Sequence, residues 1–145
     1  MLFRRNIDGI VVHLRIERYQ PPEKHEFGDW WCDCGYSFEF GEILRYSKAE
    51  DELLTPEDVH LLHKALSDLL SGKFTKKTEV TFLEPDFEFT LFPKGGDEIG
   101  DISAEWRINF WHRGALTANY FAITLDREDI MALDQFLEDC IRRGQ

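Results

Sequence analysis

The sequence predicts an α+β fold, in which an antiparallel β-sheet of about six strands carries two helices packed on one face. Three observations support this prediction: runs of alternating apolar and polar residues, two segments with apolar residues at helical spacing, and short breaks between the runs. Short connections favour antiparallel neighbours, and a helix with one apolar stripe needs a sheet face to cover that stripe. The predicted order is strands, a helix, four strands and a second helix.

Two strands are predicted before the first helix. The run from Ile10 to Tyr19 alternates, and Pro21 and Pro22 end it because proline has no backbone N–H to give to a sheet. The run from Trp30 to Phe40 alternates more strictly and gathers aromatic residues and two cysteines on one face. A pairing shift of one residue would replace that apolar face with a mostly polar one, so the pattern favours a single register.

Both helices are predicted from the residues at their ends. Thr55 offers a side-chain oxygen as the N-cap of the first helix, and Pro56 suits its first helical position. Asp126 is predicted to cap the second helix, which Arg142 and Arg143 close at the end where the helix dipole favours cations. Apolar residues recur at helical spacing in both segments.

Four strand-like runs lie between the two helices, with breaks at residues 84–86, at residues 93–100 and around Gly114. Their alternating apolar residues are Val80 and Phe82, then Phe87, Phe89 and Leu91, then Ile102, Ala104, Trp106, Ile108 and Phe110, and finally Phe121, Ile123 and Leu125. Because no linker, repeat or low-complexity segment interrupts the chain, residues 1–145 are predicted to form one domain.

The sheet face away from the helices is predicted to remain open. It combines aromatic and charged residues: Trp31, Asp33, Glu88, Phe92, Glu105, Arg107, Trp111 and Tyr120. Exposed aromatic side chains often mark an interface, so this face could also form a homodimer. The pattern leaves monomer and dimer open.

The formal net charge of −11 argues against nucleic acid or an anionic membrane as the partner, because both attract basic surfaces. Acidity can serve solubility alone, or it can serve a basic protein partner, and composition leaves both open. Three cysteines suit a reducing cytoplasm better than a disulfide framework. With no signal peptide or membrane span in the sequence, a cytoplasmic location is expected.

Acidic residues concentrate between positions 84 and 105, a segment that contains seven acidic residues and a single basic residue, Lys94. Such clustering can steer a basic partner, although it can equally be an ordinary solvated edge. The predicted partner-binding residues are Glu84, Asp86, Glu88, Asp97, Glu98, Asp101, Glu105 and Trp111.

The sequence predicts no catalytic, cofactor or metal site. His60 and His63 are three residues apart on a helix, but no second cluster completes a metal site, and a solvated helix face is the simpler interpretation. Cys32 and Cys34 point to the same side of a strand, which is typical of core packing. A hydrolase built on Glu84, Asp86 and a histidine is the weakest alternative.

Several short motifs resemble those of the WapI-like family of bacterial immunity proteins. The motifs are Tyr19-Gln20-Pro21-Pro22, Gly28-Asp29-Trp30-Trp31, Leu53-Leu54-Thr55-Pro56-Glu57, Leu69-Leu70-Ser71-Gly72, Phe82-Leu83-Glu84-Pro85-Asp86-Phe87-Glu88-Phe89 and Ile108-Asn109-Phe110-Trp111. The resemblance as a whole runs from about Arg18 to Ile141, and the run from Phe82 to Phe89 is its most distinctive part.

The resemblance implies a small antidote that neutralises a cognate bacterial toxin by direct binding, without a cofactor and without catalysis. The implied partner is a toxin domain with a basic surface, which an acidic inhibitor would complement. The alternative from the residues alone is a cytosolic domain that binds a small molecule or serves regulation, since an α+β fold is compatible with either role.

Overall fold

The computed structural model describes residues 1–21, 31–95 and 100–144, with the backbone alone at residues 50 and 51. The elements in chain order are β1 (Leu2–Ile7), β2 (Ile10–Glu17), β3 (Asp33–Phe40), β4 (Leu44–Asp51), α1 (Pro56–Leu70), β5 (Thr78–Thr81), β6 (Phe87–Phe92), β7 (Ser103–His112), β8 (Ala115–Leu125) and α2 (Arg127–Gly144). The α+β class, the antiparallel pairing and the order of elements are confirmed.

The described strands number eight rather than six, and they form two sheets rather than one. Each sheet has four strands in sequence order, β1 to β4 in the first and β5 to β8 in the second. The sequence patterns missed β1 and β4, which are edge strands of the first sheet. Edge strands are solvated on more sides, so charged residues interrupt their alternation, as in Arg4 and Arg5 of β1.

The chain divides into two compact units, the first comprising Met1–His60 with Gln135–Gln145 and the second Leu61–Asp134. The expectation that residues 1–145 form one domain stays a prediction, because compact units of this size can belong to one domain.

The core of the first unit lies on one face of its sheet. The buried apolar side chains of β2 and β3 are Val12, Leu14, Ile16, Cys34, Tyr36 and Phe38. Phe3 of β1 pairs with Leu14 and contacts Phe136 of α2, with ring centroids 5.7 Å apart. The end of α2 therefore packs on the buried face. Phe40, predicted on this face, is 40% exposed at the end of β3.

The core of the second unit centres on Trp106 in β7, which is fully buried. Its ring meets Phe87 edge to face at 5.1 Å and stacks on Phe89 at 5.2 Å, centroid to centroid. Both arrangements are preferred by aromatic pairs. Strict alternation in β6 buries Phe87, Phe89 and Leu91 together and turns the residues between them to the opposite face.

Both helices begin where their caps predict. The Thr55 hydroxyl accepts a hydrogen bond from the Asp58 backbone N–H, and the Asp58 carboxylate accepts one from the Thr55 N–H. Asp126 and Asp129 exchange the same two bonds at the start of α2. Each reciprocal pair satisfies backbone donors that the first helical turn leaves free, which fixes the first residue of the helix.

An irregular pairing interrupts the long β7–β8 hairpin. Asn109 pairs with Tyr120 and Trp111 pairs with Leu116, so Phe110 alone faces residues 117–119 of β8. The Thr117 hydroxyl bridges the gap: it donates to the Phe110 carbonyl and accepts from the backbone N–H of residue 119. The extra residues form a bulge in β8, which changes the direction of the strand beyond it.

Gly35 provides a test of the packing between β3 and β4. A Cβ built at Gly35 would overlap the Ala49 carbonyl oxygen and crowd the Arg15 guanidinium, next to the register shift of this strand pair. We expect Gly35→Ala to lower the free energy of unfolding by about 2 kcal/mol in urea denaturation, because backbone must move. Glu39→Ala, at an exposed position of the same strand, should change it by less than about 0.5 kcal/mol.

Candidate partner-binding surface

The outer face of the second sheet collects acidic side chains from three neighbouring strands. Residues that pair across antiparallel strands project to the same side of the sheet. Glu79 of β5 pairs with Thr90, which pairs in turn with Glu105 of β7. One row along, Glu88 of β6 pairs with Arg107. The register thus places three carboxylates around one guanidinium, and we call this surface the acidic face.

A cavity of about 230 Å³ opens on the acidic face. Its lining residues are Glu79, Thr81, Glu88, Phe89, Thr90, Glu105 and Arg107. Three carboxylates and one guanidinium give these residues a formal charge of −2. The volume and charge suit a single cationic side chain better than an anionic or apolar group.

Arg107 is held by its neighbours on the acidic face. Its Nε donates to Asn109 Oδ1 at 3.0 Å and lies 3.3 Å from Glu88 Oε2, and its guanidinium carbon lies 3.6 Å above the Tyr120 ring. The Arg107 charge is therefore matched by Glu88 and the aromatic ring. Glu79 and Glu105 form no ion pair with another residue that the structure describes. Their charges remain available to a partner.

Asn109 connects the acidic face to the turn before β6. Its side-chain Nδ2 donates to the Pro85 carbonyl oxygen at 2.6 Å and to Glu88 Oε2 at 3.2 Å. Its backbone N–H donates to the Asp86 carbonyl oxygen at 3.0 Å. Asn109 is buried, so these bonds replace water that the side chain cannot reach. The motif from Phe82 to Phe89 is thus held against β7 by hydrogen bonds from Asn109.

The remaining predicted residues occupy different environments. Asp86 is 2% exposed, whereas Glu84, two residues earlier, is partly exposed. Trp111 is partly exposed in β7, beyond the bulge. Asp97 and Glu98 lie outside the described residues. Of the predicted acids, the register brings together only Glu88 and Glu105 among the side chains that the structure describes.

Asp101 is exposed, and its carboxylate forms an ion pair with Arg127. Arg127 donates to its two carboxylate oxygens at 2.7 and 2.9 Å, and the Ile102 backbone N–H donates to it at 2.8 Å. The Arg127 guanidinium, with help from that N–H, holds the pKa of the Asp101 carboxyl well below its usual range. A partner that uses Asp101 would have to compete with Arg127.

Glu79 belongs to the acidic face although the acid-rich segment from 84 to 105 does not include it. The signal was present in the sequence, because Glu79 adjoins Val80 and alternation sends adjacent strand residues to opposite faces. The proximity of Glu79 to Glu88 and Glu105 depends on the pairing of β5 with β6, and a local sequence pattern does not determine that pairing.

The three cysteines lie in the buried core of the first unit. Burial raises the pKa of the Cys34 thiol to about 12 and that of the Cys140 thiol to about 11. Burial and the neighbouring Cys34 raise the pKa of the Cys32 thiol well above its usual range. All three are protonated at neutral pH, and a protonated thiol is a poor nucleophile and metal ligand.

The histidines of α1 have other contacts. His60 lies against the Tyr19 ring, with centroids 5.9 Å apart, and His63 Nδ1 is 2.7 Å from Asp134 Oδ1. Ser67 also donates to that carboxylate, so its hydroxyl faces an acceptor rather than a catalytic base. Within the described residues, no group of three or more histidine, cysteine or acidic side chains is placed to hold a metal.

The described helices include none that is both long and apolar enough to cross a membrane. In a comparison with protein families, the model described as the Immunity protein WapI-like family matches residues 1–143. Neither a curated protein nor a solved structure matches the chain significantly.

Asn109→Ala should lower the free energy of unfolding by about 2 kcal/mol, because it leaves the Pro85 carbonyl and the Glu88 carboxylate without their buried donor. Chemical denaturation followed by tryptophan fluorescence measures this change. Asn119→Ala, at an exposed position of β8, is the control and should cost less than about 0.5 kcal/mol. Equal losses for both variants would contradict the role assigned to the Asn109 side chain.

Thiol accessibility is a separate test of the first core. At about pH 8 the native protein should react negligibly with an aromatic disulfide reagent over several minutes, because its thiols are buried and protonated. In concentrated urea all three thiols should react. Rapid reaction of even one thiol in the native protein would show that this core is open.

Proposed function

We propose, since the chain belongs to the WapI-like family of immunity proteins, that it neutralises a cognate toxin by binding it directly. The family match over residues 1–143 is the observation that carries this proposal. Binding, rather than chemical modification, accounts for the neutralisation. The protein acts in the cytoplasm, needs no cofactor and catalyses no reaction.

The acidic face supports a toxin with a basic surface as the partner. Glu79 and Glu105 of this face form no ion pair within the described residues, and the chain has a net charge of −11, so the local and overall charges attract the same kind of partner. Complementary charge accelerates association and discriminates against acidic proteins. Toxins that cleave nucleic acids carry basic substrate-facing surfaces, and an acidic inhibitor would cover such a surface.

We assign recognition of the toxin to the predicted partner-binding set, Glu84, Asp86, Glu88, Asp97, Glu98, Asp101, Glu105 and Trp111, with Glu79 added. Within this set, Glu79, Glu88 and Glu105 make the direct charge contacts, since they line one cavity. Asp86 is buried, and its backbone carbonyl oxygen accepts a hydrogen bond from the Asn109 N–H, so its contribution is to hold the turn in front of β6. Tyr120, half exposed beside Arg107, is the aromatic contact that could instead serve a homodimer.

The cavity on the acidic face argues for a protein partner over a small ligand at that surface. Binding sites for drug-sized ligands start at about 300 Å³ and are mainly apolar. This cavity has a volume of about 230 Å³ and is lined mainly by polar residues.

Co-expression with the toxin encoded beside its gene tests the proposed function. The wild-type protein should restore growth and should form a complex with the purified toxin. Light scattering of the free protein and of the complex gives their masses and separates a monomer from a homodimer. A toxin that remains lethal and does not associate with the protein would refute the immunity function.

Charge neutralisation tests the acidic face. The double variant Glu88→Gln/Glu105→Gln should associate with the toxin about tenfold more slowly at low salt, and its rate should depend less on salt. The matched control, Glu39→Gln/Glu42→Gln, removes two exposed charges from the first unit and should change the rate by less than about twofold. Equal rates for the two double variants would contradict a role for the acidic face.

A further inference from the structure

A groove runs between α1 and β5 in the second unit. Its volume is about 350 Å³. Helix residues Leu61, Lys64, Ala65 and Asp68 form one wall, with Phe74 following the helix, and all four residues of β5 form the other. We call this cavity the α1–β5 groove.

The groove follows the free edge of a sheet. Successive residues of a strand point to opposite faces, so a cavity that touches Thr78, Glu79, Val80 and Thr81 must run along the strand edge. Among the strands that the structure describes, β5 pairs only with β6 and therefore forms an edge of its sheet. Half of the backbone N–H and C=O groups of an edge strand point away from its partner strand. An extended peptide can use these groups to join the sheet.

The helix side of the groove and Val80 offer an apolar surface. Leu61 is 47% exposed there, and Ala65 and Val80 are buried beneath it. At the rim, Lys64 Nζ lies 2.7 Å from Asp68 Oδ2, so these two charges match each other. An apolar side chain placed against this surface would cover Leu61, while the Glu79 carboxylate lines the β5 side of the groove.

The two faces of an added strand would meet different surroundings. Residues level with Val80 would point into the apolar groove. Residues level with Glu79 and Thr81 would point to the acidic face, where Glu88 and Glu105 line the adjoining cavity. Glu79 and Thr81 line both cavities, so the groove and the acidic face adjoin along β5. Successive residues of an added strand would therefore contact apolar side chains and acidic side chains in turn.

We propose that the α1–β5 groove binds an extended segment of the toxin in which apolar and basic side chains alternate, and that this segment pairs with β5. The inference rests on the proposed function and adds the kind of partner segment that the acidic face recognises. Backbone pairing supplies the orientation, the groove takes the apolar side chains, and the carboxylates take the basic ones.

A synthetic hexapeptide of alternating lysine and valine, acetylated and amidated, tests the proposal without the toxin. Titration into the labelled full-length protein should shift the amide signals of β5 and of residues 61–68 in NMR spectra. The same peptide with alternate backbone amides methylated should lose binding, because the added strand can no longer donate its hydrogen bonds. A glutamate–valine hexapeptide should bind about tenfold more weakly.

Protein variants separate the two halves of the site. Leu61→Glu should weaken the lysine–valine peptide about tenfold by placing a charge in the apolar groove. Glu79→Lys should weaken it to a similar extent, by about tenfold, through repulsion of lysine. Met131→Glu, at a position of α2 that is 53% exposed, is the matched control and should bind as the wild type does. Shifts confined to other residues, or equal affinity for all three variants, would overturn the proposal.

The toxin provides the second readout. If wild-type protein binds the toxin while Leu61→Glu and Glu79→Lys bind it equally well, the groove inference is wrong and the immunity function stands. If the wild type neither binds nor neutralises the toxin, the immunity function is wrong, and the peptide titration decides separately whether the groove accepts a strand. Loss of toxin binding in both variants, with Met131→Glu intact, is the expected result.

Discussion

The buried amide of Asn109 is the interaction on which the geometry of the acidic face depends. The side-chain amide donates to the Pro85 carbonyl and to Glu88 and accepts from Arg107. The backbone N–H of the same residue donates to the Asp86 carbonyl. One side chain thereby orients a turn, a carboxylate and a guanidinium. Networks of this kind specify a structure because each member left without a partner would be costly. These bonds connect two of the motifs that resemble the WapI-like family, the run from Phe82 to Phe89 and the run from Ile108 to Trp111.

Local pattern predicted the elements with strong alternation or clear caps. The strands around Leu14, Phe38, Phe89 and Trp106 each have one apolar face, and Thr55 and Asp126 cap their helices. β1 and β4 were not predicted because charged residues interrupt their alternation of apolar and polar residues. The division into two sheets was also missed, since which strands become neighbours is decided by contacts distant in sequence, and short breaks are compatible with one sheet or two.

The sequence predicted that the candidate surface is acidic, but it predicted less well which residues form that surface. A segment rich in acids located the region, yet position along the chain does not separate a carboxylate on the outer face from one in the core. Asp86 is buried and Asp101 is matched by Arg127, while Glu79 joins the face from another strand. Register decides these outcomes, because a shift of one residue exchanges the two faces of a strand.

The bulge at residues 117–119 also bears on how the protein behaves when it is abundant. Strand β8 has eleven residues without a charge, a glycine or a proline, and it is the last strand of its sheet. A regular, uncharged edge of that length would invite copies of the chain to join edge to edge and aggregate. The bulge breaks the edge into shorter pieces. If the protein neutralises its target by binding it, as proposed, it must be present in at least the amount of that target, and resistance to aggregation then limits how much protection a cell can accumulate.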